Sequence, residues 1–264
     1  MAKSEKPELM VNGKRLDGRM PGDLRPVRIE SGVLKNAAGS AYVEWGSNKI
    51  LAAVYGPREA LPKHTSDPEK AVIKCRYQMA PFSSLEEHGR TGPNRRAIEI
   101  SKVTKEVFEN VIIRENFPGS EISIFVEVLQ SDGGTRAAGI TAAAVALAGS
   151  GIPMTDIPYA VSIGKIGEHI VIDLNKIEDN YSDADVPIAI SPRQDKILLL
   201  QMDGNMTREE VSKALSMAKE SGKIITKLQT DALKAPYLKI SEKYKNGAPS
   251  LPQQPREQQP QQPK

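Results

Sequence analysis

The chain has 264 residues, of which 39% are apolar and 26% charged, and its formal net charge is +3. These are ordinary values for a soluble globular protein, and the length allows one large domain or two small ones. No apolar run approaches the roughly 20 residues that span a bilayer, and the N-terminus lacks the apolar stretch of a secretory signal, so we expect a cytosolic protein. The single cysteine, Cys75, excludes an internal disulfide, and no Cys/His zinc pattern is present.

The first part of the chain reads as strands, then a helix, a strand and a second helix. Apolar residues recur at helical spacing from 94 to 114, and the Ala-rich run 135–147 has almost no charge, which predicts a buried helix. Alternation or richness in β-branched and aromatic residues predicts strands at 26–31, 40–46, 49–56, 72–79 and 121–129.

The second part repeats this plan. A long helix is predicted to begin near Thr207, where Thr207 and Glu210 have the spacing of a capping box. Strands followed by helices, twice, indicate an α/β sandwich with mixed sheets. Strands are predicted at 159–166, 169–174, 186–190 and 196–202. The expected organisation is an N-terminal arm (1–21), a first half (22–156), a second half (157–245) and a disordered Gln/Pro-rich tail (246–264).

Residues 131–136, Ser-Asp-Gly-Gly-Thr-Arg, lie between a predicted strand and the predicted buried helix. Two glycines allow the backbone to approach a ligand, and a helix start offers unpaired N–H groups and the positive end of the helix dipole. Thr135 adds a hydroxyl donor, and Arg136 adds a charge at the mouth of an otherwise uncharged helix. The pattern is typical of a phosphate-sized anion site, and the alternative is a tight turn capped by Thr135.

Residues 168–185 carry six Asp or Glu against one Lys. Asp179 and Asp185 are separated by Asn-Tyr-Ser at 180–182, which predicts a turn. Two carboxylates facing each other across a turn could hold Mg²⁺ or Mn²⁺, or one of them could have a raised pKa and act as a general acid. The alternative is an exposed acidic loop.

Residues 58–105 carry ten Lys or Arg against six Asp or Glu. Arg95 and Arg96 stand at the predicted start of a helix, where positive charge opposes the helix dipole. That placement favours an external anion such as an RNA backbone, and the alternative is a solvated surface. A basic track, an anion site and paired carboxylates are together the parts needed to break a phosphodiester bond with phosphate as the nucleophile.

From about Leu16 to Tyr237 the chain resembles the RNase PH family. The stretches that carry the resemblance are LDGR at 16–19, NRRAIEIS at 94–101, Gly-Gly-Thr-Arg at 133–136 and DNYSDADVPIAI at 179–190. Within the family, VYGPRE, MAPFS, GIPMTD and DGNMT are similar to the catalytic RNase PH-like subunits of archaeal exosomes. The resemblance implies an α/β (α+β) fold, a duplicated βαβα unit with mixed sheets and long helices in a single compact domain.

The resemblance also implies a 3′→5′ exoribonuclease that works by phosphorolysis and releases nucleoside diphosphates. Inorganic phosphate is then the co-substrate, and a divalent cation, Mg²⁺ or Mn²⁺, takes part. The family's functional positions correspond here to phosphate-binding Gly134, Thr135 and Arg136, to catalytic and metal-binding Asp179 and Asp185, and to RNA-binding Arg95, Arg96 and His64.

The implied partners are the single-stranded 3′ end of RNA, a paralogous RNase PH-like subunit in a six-membered ring, and RNA-binding cap subunits, with no membrane. One alternative is a non-catalytic RNA-binding ring subunit. Such paralogues are expected to lack the cradle arginine or the carboxylates, whereas Arg136, Asp179 and Asp185 are all present. The other alternative is a stand-alone homohexamer that trims tRNA 3′ ends, which the oligomeric state would distinguish.

Overall fold

The computed structural model describes residues 7–84 and 95–246. The first elements in these ranges are β1 (Met10–Val11) and β2 (Lys14–Arg15), which pair as a small antiparallel hairpin. None of the helices in these two ranges has the length and apolar character that crossing a membrane requires. The tail predicted to be disordered lies outside the described residues, apart from the backbone of Asn246.

The first sheet has five strands: β3 (Val27–Ser31), β4 (Gly39–Trp45), β5 (Asn48–Glu59), β6 (Val72–Met79) and β7 (Ser120–Gln130). Their spatial order is β3-β4-β5-β7-β6, and all neighbours pair antiparallel except β6 and β7. A parallel pair requires a crossover connection, and helix α1 (Arg95–Glu109) lies in the connection between β6 and β7. The sheet is therefore mixed, as the sequence predicts.

The second sheet is built from β8 (Tyr159–Ile166), β9 (His169–Ile172), β10 (Ala184–Ser191), β11 (Lys196–Leu200) and β12 (Asp203–Gly204). The order is β11-β10-β8-β9, with β12 on β10, and every pairing is antiparallel. The prediction of mixed sheets is thus wrong for this half. Parallel pairing needs a long crossover, whereas the helix between β9 and β10, α3 (Lys176–Tyr181), has only six residues.

Helix α2 (Thr135–Gly149) lies between the two sheets and contacts strands of both, including β5 and β8. Twelve of its 15 residues are buried. The run has no charged side chain after Arg136, so the helix has no polar face to turn to solvent. The predicted buried helix is confirmed, and its first turn is fixed at the junction of the two halves.

Helix α4 (Arg208–Asn246) has 39 residues and packs on β3 and on the second sheet. The predicted capping box is confirmed, because Thr207 N donates to Glu210 Oε2 at 2.7 Å and Glu210 N donates to Thr207 Oγ1 at 3.3 Å. Pro236 removes one hydrogen bond from the helix, and the carbonyl of Ala232 accepts one from Ser31 Oγ at 2.7 Å instead.

A buried carboxylate lies at the N-terminal end of β7. Glu121 is 3% exposed and pairs with Lys74 at 2.6 Å and with Arg58 at 3.1 Å. Burial opposes ionisation, but hydrogen bonds from Lys74, Ser123 and Arg58 outweigh it and hold the pKa of Glu121 at about 2. This end of the sheet is therefore stabilised by a charged group that must stay ionised.

Candidate active site

The segment predicted to bind an anion, which we call the cradle (131–136), lies where β7 ends and α2 begins. Gly133 and Gly134 have φ angles of +69° and +66°, a left-handed conformation that costs a residue with a Cβ about 1–2 kcal/mol. A Cβ on Gly133 would lie 2.5 Å from the carbonyl carbon of Asn175 and 2.7 Å from Leu174 O. The glycines therefore let the turn pass directly against the segment that leads into α3.

Gly134 is the N-cap of α2, and no side chain caps this helix start. The alternative in which Thr135 caps the turn is wrong, since Thr135 is the first helical residue and its Oγ1 accepts a hydrogen bond from Tyr77 Oη at 2.9 Å. The Thr135 hydroxyl thus keeps a proton to donate. The backbone N–H groups and the positive dipole end at the start of α2 are therefore not covered by a capping side chain.

Arg136 lies on the first turn of α2 with its guanidinium held from two sides. Its Nη1 donates to Gln201 Oε1, and its Nη2 donates to Glu99 Oε1 at 3.4 Å. Its Nε is buried and has no hydrogen-bond partner among the residues that the structure describes. The side chain is therefore oriented and still has one unsatisfied donor.

The two candidate carboxylates come from different elements, Asp179 from α3 and Asp185 from β10. The turn predicted at 180–182 is wrong for Asn180 and Tyr181, because they are the last two residues of α3, and only Ser182 lies outside the helix. The short helix is started by a capping box in which Glu178 N donates to Asn175 Oδ1 at 3.0 Å and Asn175 N donates to Glu178 Oε2 at 2.9 Å. Asp185 Oδ1 accepts a hydrogen bond from Ser162 Oγ on β8 at 2.7 Å.

The cradle and the carboxylates face one cleft, which consists of two adjoining hollows of about 150 and 540 Å³. Because the hollows share walls, a ligand in one is next to the other. The smaller hollow is lined by Gly133 and Thr135, the larger by Arg136 and Asp185, and both by Arg96, Asp179 and Asn180.

Burial raises the pKa of Asp179, and the charge of Asp185 raises it further, while Arg96 and Arg136 act in the opposite direction. Burial likewise raises the pKa of Asp185, against a hydrogen bond from Ser162 and the charges of Arg136 and Arg96. Both carboxyls therefore keep a proton more readily than an exposed aspartate. Such an environment is typical of groups that give or take a proton, or that bind a cation.

The candidate RNA contacts fall in two places. Arg95 and Arg96 are exposed at the first two positions of α1, and Arg96 lines the cleft. His64 is exposed in a short 3-10 helix after β5, in a loop whose Ser66 donates to Gly119 O just before β7 begins. Since β7 has 11 residues and the cleft lies at its other end, His64 is roughly 30 Å from the cleft.

Arg25 and Asp173 lie behind the cradle, and no sequence motif predicts them as site residues. Arg25 is 7% exposed, and its Nη2 donates to Gly133 O at 3.2 Å and to Asp173 Oδ1 at 2.6 Å. These partners are 108 and 148 positions away along the chain. No local motif could have identified the pair, because the fold alone brings the three segments together.

Two family models match the chain. Domain 1 of RNase PH, the 3′ exoribonuclease family, matches residues 23–153, and domain 2 matches residues 156–221. The exosome complex component Rrp41 of Thermococcus onnurineus is 56% identical over 236 residues, which are 89% of this chain and 94% of the relative. The Rrp41 protein of Methanopyrus kandleri is 53% identical over 235 residues, 88% of this chain and 98% of the relative.

Two solved structures share the fold. Rice Rrp46 superposes with a TM-score of 0.75 at 24% identity, over 83% of this chain and 100% of that chain. A chain of the Archaeoglobus fulgidus exosome with RNA bound to the active site gives a TM-score of 0.71 at 22% identity, over 82% and 92%. These likenesses concern the fold, and together with the two family models they confirm the predicted RNase PH-type architecture.

Proposed function

Because this chain belongs to the 3′ exoribonuclease family, we propose that it shortens RNA from the 3′ end by phosphorolysis, as an active subunit of an archaeal-type exosome. Family membership confirms the resemblance seen in the sequence motifs. The observation that carries the proposal is the single cleft in which the uncapped start of α2 stands beside Asp179 and Asp185.

Inorganic phosphate would bind at the start of α2, where backbone N–H groups, the Thr135 hydroxyl and the Arg136 guanidinium supply donors and positive charge. One phosphate oxygen attacks the phosphorus of the last 3′ linkage, and the bond from phosphorus to the 3′ oxygen breaks. The products are a nucleoside diphosphate and an RNA one nucleotide shorter with a 3′ hydroxyl. The protein forms no covalent bond, so its contribution is positioning and charge stabilisation.

The leaving 3′ oxygen must gain a proton, and Asp179 and Asp185 are placed to give it. Burial raises the pKa of both carboxyls, so the pair holds a proton at higher pH than exposed aspartates do. Interacting carboxyls titrate as a pair, and the proton is therefore assigned to the pair.

The same carboxylates fit Mg²⁺ or Mn²⁺, since both are hard oxygen donors that line the hollow of about 540 Å³. No group of three or more His, Cys, Asp or Glu side chains that could hold a metal exists within 7–84 and 95–246. Asp179 and Asp185 would hold the ion, since a hard divalent cation prefers carboxylate oxygens. When bound, the ion would neutralise charge on the leaving oxygen.

Arg95 and Arg96 would hold the RNA backbone at the mouth of the cleft. Contacts to phosphates carry no base information, so we expect little sequence preference. His64 would contact the same RNA molecule only at a distance from the reacting end, because it lies near the N-terminal end of β7 and the cleft lies at the other end. The proposed assembly is a ring in which this chain alternates with an RNase PH-like paralogue beneath RNA-binding caps, and light scattering of the purified complex would measure its stoichiometry.

The decisive experiment is phosphate dependence. The chain, alone and with its co-purifying partner, is incubated with poly(A), phosphate and Mg²⁺, and the nucleotides released are separated by chromatography. We expect ADP, and no nucleotide when phosphate is omitted. Failure to release ADP with either Mg²⁺ or Mn²⁺ would contradict the proposal, and AMP released without phosphate would indicate hydrolysis instead.

A further inference from the structure

A buried arginine–carboxylate pair lies behind the cleft and connects its two walls. The side chains of Arg25 and Asp173 are 6% and 4% exposed. Arg25 donates from its backbone N at 2.7 Å and from Nε at 3.0 Å to Asp173 Oδ2, and from Nη2 at 2.6 Å to Oδ1. Hydrogen bonds between two charged groups, in this forked geometry, are the strongest of the ordinary kinds.

The same guanidinium holds the cradle. Arg25 Nη1 donates to Asp132 O, and Nη2 donates to Gly133 O at 3.2 Å. The fully buried Asn48 completes the clamp, because its Oδ1 accepts from Asp132 N at 2.6 Å and its Nδ2 donates to Gly133 O at 2.7 Å. Side chains from outside the turn therefore fix the backbone that precedes α2.

Asp173 holds the other wall, since it follows β9 and leads into α3. Its φ is +60°, uncommon for a residue with a Cβ, and the neighbours determine this conformation: Asp173 N donates to Ser162 O at 2.7 Å, and the carboxylate is paired with Arg25. Arg15 adds a second tie, with Nε donating to Glu178 Oε1 at 2.7 Å and Nη2 to Asp173 O at 2.8 Å.

We propose that Arg25 is a positioning residue that sets the separation between the phosphate cradle in the first half and the α3 carboxylate, Asp179, in the second. The inference rests on the proposed function and adds to it the residue that aligns the two halves of the site. Lysine would keep a charge for Asp173 but lacks the planar fork that reaches Asp132 O, Gly133 O and Asp173 together.

The test compares Arg25→Lys with Arg28→Lys in the chain with its co-purifying partner. Arg28 is the matched control, since it lies on β3 with its side chain 69% exposed. Calorimetry measures the Kd for inorganic phosphate, and steady-state kinetics measures kcat and the KM values for phosphate and poly(A), at a temperature where every variant is folded. We expect Arg25→Lys to weaken phosphate binding about tenfold and to leave the KM for poly(A) unchanged.

Unchanged phosphate affinity in Arg25→Lys would overturn the assignment. Equal changes in both KM values would overturn it as well, because a residue that only stabilises the fold would not affect phosphate more than poly(A). If Arg25→Lys does not fold, Asp173→Asn carries the same expectation, since asparagine tolerates the left-handed conformation while its amide NH2 replaces one of the two oxygens that accept from Arg25. Wild-type protein that binds phosphate without releasing ADP would reject the proposed function, whereas the positioning role would still be decided by the Kd.

Discussion

Replacing Gly133 by alanine tests whether the turn before α2 sets the geometry of the cleft. The new Cβ would lie 2.5 Å from the carbonyl carbon of Asn175, at a residue whose φ is +69°. Non-bonded carbon atoms rest about 3.5–4.0 Å apart. The turn and the segment that leads into α3 must therefore separate by about 1 Å. Side-chain rotation cannot relieve the clash, because the nearest atoms all belong to the backbone of Leu174 and Asn175.

That separation moves the cradle away from Asp179. A misplacement of about 1 Å costs on the order of 100-fold in rate, so we expect kcat/KM to fall by about that factor. The left-handed conformation itself adds about 1–2 kcal/mol of destabilisation, and the forced contact adds about 1–3 kcal/mol.

Gly151→Ala is the matched control. Gly151 has a φ of +77° and nothing within 4 Å of the added Cβ, so this variant has the backbone strain without the clash. The assay is phosphate-dependent ADP release from poly(A), with chemical denaturation of both variants for stability. If Gly133→Ala keeps its kcat/KM within about threefold of Gly151→Ala, the close approach of the turn to α3 does not control catalysis, and the reasoning fails.

Three further outcomes are expected. Asp185→Asn should lower kcat by at least about 100-fold and leave RNA affinity unchanged, with the exposed Asp195→Asn as control; loss of RNA binding in a filter assay would indicate a structural role. Replacing Arg95 and Arg96 by alanine should weaken RNA binding alike across sequences and flatten its salt dependence, and an unchanged salt slope would remove them from the RNA path. Glu121→Gln should lose roughly 1–3 kcal/mol of unfolding free energy at pH 7, because the ionised carboxylate is lost. In the wild type the pKa of Glu121 is held at about 2, so its ion pairs stabilise the fold fully above pH 4.5 and lose this effect as the pH falls toward 2. Denaturant unfolding at pH 7 and pH 3 measures this, and an equal pH dependence in variant and wild type would contradict it.

Much of the fold could be predicted because periodicity reports burial directly. The alternation over 72–79 matches β6, and the uncharged run after Arg136 matches α2, since a helix without a polar face must be buried. The apolar pattern does not predict α3, because its six mostly polar residues show no helical period. Its signal was the spacing of Asn175 and Glu178, which form a capping box.

The site was predictable only where its residues are close in sequence. The cradle is a continuous segment, and the two aspartates are six positions apart, so motifs identify them. The role of Arg25 could not be predicted from the sequence, because its partners Gly133 and Asp173 are 108 and 148 positions away. His64 is far from the cleft because β7 separates them along its whole length. Strand propensity predicts β7, but it does not show which end of the strand carries the site.

Helix α2 has a consequence for how the molecule tolerates change. It acts as a spacer between two rigid layers, and Ala142, Ala143 and Ala144 are each 0% exposed. A bulkier side chain at these positions would push the layers apart. The displacement would reach the N-terminal end of α2, where we propose that phosphate binds, before the chain unfolds. Mutations in α2 should therefore be detected first as kinetic defects in a protein that still melts cooperatively.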